Sequence, residues 1–259
     1  MSQTTTTQAP DALFQEDPSV ISLLIINPNT TEHMTQGLRD NLIPLTPPGV
    51  KLTFYTARED LGAPAVITDV TTGVASANAC AKDIVEERKL LDVYDGFLVS
   101  CFSDHPLTHI LREKTSKPVF NILEASITQS LLLAPRFGII TTGTGFGFIY
   151  HQDVQKFLGG PSNRFAGLLT AGLGPADFKT DDEERKKEVE SKVGKTAVKM
   201  REMGADVIIM GCAGMAGMEE VLRKAVREAG SGNIQVVDGA KAGVQFLAGL
   251  ARLDKASRS

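Results

Sequence analysis

Short apolar runs recur along the chain, and each stops at a cluster of small or polar residues. Ser22-Leu23-Leu24-Ile25-Ile26 runs into Asn27-Pro28-Asn29-Thr30, and Phe97-Leu98-Val99-Ser100 runs into Cys101. Arg136-Phe137-Gly138-Ile139-Ile140 leads to Thr141-Thr142-Gly143, and Val207-Ile208-Ile209-Met210 leads to Gly211-Cys212-Ala213-Gly214. Runs this short, bounded by turn residues, predict buried strands. Further strands are predicted at 50–56, 117–121, 165–171 and 234–237. Segments of helical spacing lie between them. They extend from Asn29 or Thr30 as cap to about Leu42, over 69–91, 106–114 and 125–133, from the Thr141–Gly147 loop to about Leu158, and over 181–203, 219–229 and 240–251. Regular βα alternation predicts parallel sheets with right-handed crossovers.

The pattern is also repeated. Each half has a strand ending in small polar residues, a helix, a second strand, a long helix, and then a strand ending in cysteine. A shorter helix, a further strand and a closing helix follow. The interval from Cys101 to Cys212 nearly equals that between the first strands of the halves. The predicted fold is therefore α/β, with two pseudo-symmetric Rossmann-like halves. Each carries a mostly parallel sheet flanked by helices, and the active site lies in the cleft between them. The expected division is a disordered tail at 1–19, a first half at 20–134 carrying Cys101, a second at 135–253 carrying Cys212, and a tail at 254–259. The closing helix is free to pack back on the first half.

Composition narrows the function. The 259 residues are 42% hydrophobic and 22% charged, as in soluble globular proteins, and a net charge of −4 gives nucleic acid no electrostatic footing. No apolar run approaches the roughly 20 residues that span a bilayer. The start of the chain lacks a basic region followed by an apolar one, so the expected location is the cytoplasm. The expected partner is a small-molecule substrate, with neither nucleic acid nor membrane.

Three cysteines suit a reducing compartment better than a disulfide scaffold. Cys80, in a helical run with small neighbours, reads as packing. Cys101 and Cys212 end strands, where open α/β sheets bind ligands, and each precedes a helix whose dipole favours an anion. Without CxxC or close Cys/His spacing, a metal site is not expected.

A free thiol has a pKa near ~8.5, and two in one cleft oppose each other's ionisation. One thiolate and one thiol can remove a proton from one face of a carbon and deliver another to the opposite face, with no cofactor. The carbon must be acidified by a carbonyl, whose developing oxyanion needs donors. Asn27, Thr30, Thr141, Thr142 and the amides after each cysteine stand at strand ends that could supply them.

The motifs Asn27-Pro28-Asn29-Thr30, Cys101-Phe102-Ser103-Asp104, Thr141-Thr142 and Gly211-Cys212-Ala213-Gly214-Met215 resemble those of the Asp/Glu/hydantoin racemase superfamily, above all its hydantoin/allantoin racemase branch. The resemblance runs from about Ser22 to Leu250. It implies a cofactor-independent isomerase in which Cys101 and Cys212 are opposed acid and base. It also implies that Phe102, Ser103, Ala213 and Gly214 hold substrate oxygens, and that the chain forms homo-oligomers. Ser103 stands where the family usually has glycine. The expected substrate is a hydantoin-type cyclic ureide, allantoin or a 5-substituted hydantoin. An amino-acid racemase or a specialised-metabolite epimerase of the same superfamily is the alternative, and a non-catalytic small-molecule clamp a remoter one.

Other polar residues read as structural. His105, between Asp104 and Pro106, reads as helix-entry capping, with tuning of Cys101 the sharper option. His33 and His109 read as structural, His151 as part of a solvated helix face, and Glu124 as a helix-start acid. Met210, Met215 and Met218 read as core or pocket wall.

Overall fold

The computed structural model describes residues 20–143, 147–174, 177–178 and 180–258. The predicted tail at 1–19 and residues 144–146 of the Thr141–Gly147 loop lie outside the described residues. The first half contains β1 (Ile21–Asn27), α1 (Glu32–Leu42), β2 (Val50–Thr56), α2 (Val70–Ala81), β3 (Gly96–Val99), α3 (Pro106–Lys114), β4 (Val119–Asn121) and α4 (Ile122–Leu133). The second contains β5 (Phe137–Thr141), α5 (Gly147–Leu158), β6 (Phe165–Thr170), α6 (Glu183–Glu202), β7 (Val207–Met210), α7 (Glu219–Glu228), β8 (Gln235–Asp238) and α8 (Gly239–Arg258).

Two four-stranded sheets result, ordered β2-β1-β3-β4 and β6-β5-β7-β8, and every pairing is parallel. The identical order makes the halves pseudo-symmetric. It puts Cys101 and Cys212 just beyond the carboxyl ends of equivalent inner strands.

Inner strands of a parallel sheet are covered on both faces, which explains their unbroken apolar runs. Leu24, Ile26, Phe97 and Val99 face a core beneath α2 and α3, and Ile140, Ile208 and Met210 face one beneath α6 and α7. Alternate residues of both sheets, Leu23, Ile25, Leu98, Phe137, Ile139 and Ile209, meet in one core with Ile122, Ile127, Val244 and Leu247. The last two helices of the halves fill it by exchange. α4 packs on β5, β7 and β8, whereas α8 packs on β1, β3 and β4, and the two helices pack on each other.

That exchange needs a close approach at Gly239, where a Cβ would collide with the Ile122 backbone carbonyl. A main-chain neighbour cannot swing aside, so Gly239→Ala is expected to cost about 1–3 kcal/mol, read as a lowered denaturation midpoint at unchanged m-value.

Three expectations are corrected. Neither Asn29 nor Thr30 caps α1; the cap position is Thr31, without a side-chain cap bond, while Asn29 Oδ1 accepts the Thr31 N–H at 2.9 Å. The helix predicted over 69–91 ends at Ala81 and continues as a wider π-helical turn, Lys82–Glu87. There the fully buried Asp83 pairs with Arg58 at 3.1 Å, and Lys89, at φ +50°, stops the helix. Residues 254–258, predicted as tail, continue α8, because the Lys255 ammonium donates to the Val20 carbonyl at 3.0 Å and lies 3.7 Å from Asp95.

Candidate active site

Both cysteines are half-buried, and each sulfur has a neighbour from its own loop. Cys101 Sγ lies 3.2 Å from Ser103 Oγ. Cys212 Sγ accepts the Gly214 N–H at 3.4 Å, in a short 3₁₀ turn, Ala213–Met215, that follows β7. A backbone N–H aimed at sulfur favours its anion.

Burial pushes the Cys101 thiol up to about 11; the Ser103 hydroxyl opposes this, and charge on Cys212 and Asp153 adds to it. The sulfurs, on different halves, are therefore in electrostatic reach of each other. Tyr150, on α5, lies in reach of both. Burial raises its phenol well above the usual range, and the charges of Cys101 and Cys212 raise it further, against a hydrogen-bonding contact with Thr141. The phenol thus stays protonated at neutral pH. Its ring meets Phe102 edge-on at 5.7 Å between centroids, which fixes its approach to the Cys101 loop.

The other predicted site residues are placed differently from one another. Phe102 is buried against Tyr150, and Thr141 ends β5 buried, its hydroxyl donating to the Gly211 carbonyl at 3.1 Å beside Cys212. Asn27 is committed locally: its amide donates to the Thr31 carbonyl and to Thr35 Oγ1, at 3.2 and 3.0 Å, so it braces the turn into α1. Thr30 borders a shallow surface groove with Thr56 and Arg58. Thr142 is half-buried beyond β5, and the backbone of Ala213 opens the turn after Cys212. A cavity of about 150 Å³ adjoins Cys212, walled by Met34, Leu38, Ile122 and Met210, with Asn41 donating to Asp238 at its rim.

His105 is the helix-entry residue the sequence suggests. Its Nδ1 accepts the Leu107 N–H at 3.3 Å ahead of Pro106. Burial depresses its pKa to about 4, so it is no cation for Cys101 at neutral pH. Glu124 forms a capping box with Asn121 and pairs with Arg112 at 2.8 Å. His151 is exposed and rests against Phe165, 5.2 Å between centroids. Cys80 is fully buried in α2, and Met210 and Met215 are buried.

Sequence reasoning missed Tyr150. A tyrosine in an amphipathic helix reads as wall or core, and only its spacing after the Thr141–Gly147 loop could have marked it.

Two facing α/β halves each place a cysteine just beyond the end of the equivalent inner strand. A family model described as Asp/Glu/Hydantoin racemase matches residues 23–247, and the chain belongs to that family. It is 38% identical over 236 residues to an uncharacterized protein of Schizosaccharomyces pombe, covering 91% of this chain and 94% of the relative. It is 30% identical over 248 residues to a hydantoin racemase of Pseudomonas sp., covering 91% and 88%. Among solved structures, allantoin racemase from Pseudomonas fluorescens superposes with a TM-score of 0.75 at 23% identity, covering 90% of this chain and 92% of that one, a likeness of fold. Among the described residues, no helix is long and apolar enough to cross a membrane.

Proposed function

We propose that the protein racemises five-membered cyclic ureides, allantoin or 5-substituted hydantoins, with Cys101 and Cys212 as the opposed proton carriers. The observation that supports this reading is the placement of Cys101 and Cys212 just beyond equivalent inner strands of two pseudo-symmetric halves. The similarity to a hydantoin racemase supports the substrate class.

In the proposed cycle Cys101 begins as thiol, because burial keeps its proton on, and Cys212, which accepts the Gly214 N–H, serves as the base toward one enantiomer. Cys212 removes the proton from the ring carbon between carbonyl and nitrogen. The carbon flattens as charge passes to the carbonyl oxygen, where the Tyr150 phenol and the amides of Phe102 and Ser103 donate. Cys101 then protonates the opposite face, which leaves thiolate on Cys101 and thiol on Cys212, ready for the mirror substrate. Because enantiomers are equal in free energy, kcat/KM must match in the two directions.

Two measurements test this. In D₂O the ring C–H signal of an allantoin or hydantoin enantiomer should vanish as optical rotation decays to zero; rotation that persists with enzyme present overturns the substrate class. Activity should also persist into alkaline solution and fall only as Cys101 loses its proton toward pH about 11. An alkaline fall at neutral pH would exclude Cys101 as the acid.

A further inference from the structure

The Cys101 loop belongs to the first half, yet α5 of the second half holds it. Three contacts cross over. The Asp104 backbone N–H donates to Asp153 Oδ2 at 2.8 Å, the Asp104 carboxylate pairs with the Lys156 ammonium, and Phe102 meets Tyr150. Tyr150, Asp153 and Lys156 are spaced by three residues, so they line one face of α5.

We infer that Asp153 is a positioning residue for the reaction: its carboxylate fixes the Cys101 loop to α5 through the Asp104 amide, which sets Cys101 and Tyr150 as one unit. A purely structural anchor would need only an acceptor. This one is a half-buried carboxylate whose charge reaches both Cys101 and Tyr150.

The surrounding charges determine what a substitution would read out. Burial holds the Asp153 carboxyl above the usual carboxylate range, against the Asp104 amide, with Asp104 and Lys156 as its charged neighbours. Asp104 is itself satisfied elsewhere: burial would raise it, but Lys156 and His109 of α3, the latter at 2.5 Å, hold it below the usual range. Glu124 of α4 acts on Lys156 from the remaining side. Cys101 faces Cys212, Asp153, Tyr150 and the Ser103 hydroxyl. Among these, Asp153 is the anion that can be neutralised without touching a proton carrier.

Two variants separate holding from charge. Asp153→Asn keeps an oxygen for the Asp104 N–H and removes the charge, while Asp153→Ala removes both. The first readout needs no substrate: alkylation of Cys101 by iodoacetamide at pH 9, followed by peptide mass spectrometry on the full-length protein. Each unit by which the thiol pKa falls raises the thiolate fraction tenfold, so Asp153→Asn should alkylate about three- to tenfold faster than wild type. The second readout is kinetic and rests on the racemase reading. Asp153→Ala should lose about tenfold more kcat than Asp153→Asn, with KM changing less, and both should move the alkaline limb of kcat/KM to lower pH. Unchanged Cys101 alkylation in Asp153→Asn, or equal kcat in the two variants, overturns the inference. The alkylation result stands whatever the substrate proves to be, so failure here is distinct from failure of the racemase assay.

Discussion

Cys101→Ser and Cys212→Ser are each expected to lower racemisation about 10³-fold, because a serine hydroxyl neither ionises at neutral pH nor transfers a proton as a thiol does. The fold should survive. Both side chains are half-buried at strand ends, and sulfur to oxygen is a small change in volume. The informative result is what each variant retains. Cys101→Ser keeps Cys212 as base for one enantiomer, so that enantiomer should still exchange its ring proton with D₂O while its configuration persists. Cys212→Ser should do the same for the mirror form. Proton NMR of each pure enantiomer reads this directly, with circular dichroism checking the fold. Near-wild-type turnover in either variant would remove the two-thiol mechanism.

Tyr150→Phe is the second large effect. The ring stays edge-on to Phe102, so packing is preserved, and only the hydroxyl is lost. If that hydroxyl donates to the developing oxyanion, kcat should fall about 10²-fold with a smaller change in KM, the signature of an interaction made mainly in the transition state. A rise in KM at constant kcat would make the phenol a ground-state contact instead.

Much of this architecture is legible in the residue pattern. Unbroken apolar runs such as Leu23-Leu24-Ile25-Ile26, short and bounded by turn residues, read as strands covered on both sides, and their alternation with helical segments points to the parallel pairing observed. The two cysteines stand out because each interrupts such a run at its carboxyl end. Helix termini are less legible. The chain past Ala81 keeps helical spacing, and the π-helical turn there answers to a buried carboxylate, Asp83, whose partner Arg58 is remote in sequence. Nor does a local pattern show that α4 covers the far sheet, since an apolar helix face does not say which sheet it meets. Tyr150 and Asp153 were invisible for a related reason. Their significance lies in reaching across to a loop of the other half, a relation that spacing along one helix cannot encode. Asn27 is a polar side chain at a strand end whose local role is not legible in the pattern: its amide holds the turn that starts α1.

The reciprocal placement of α4 and α8 bears on how such a molecule could be divided. Cut near residue 135, neither fragment would keep the helix that seals its own inner sheet face, and each would present a bare apolar wall to water. Two identical fragments could cover one another only by trading that last helix, as domain-swapped subunits do. In the present chain the two halves are held by one covalent backbone. Joined end to end, its two moieties are free to differ around their sulfurs, with Ser103 beside one and the Gly214 amide beside the other.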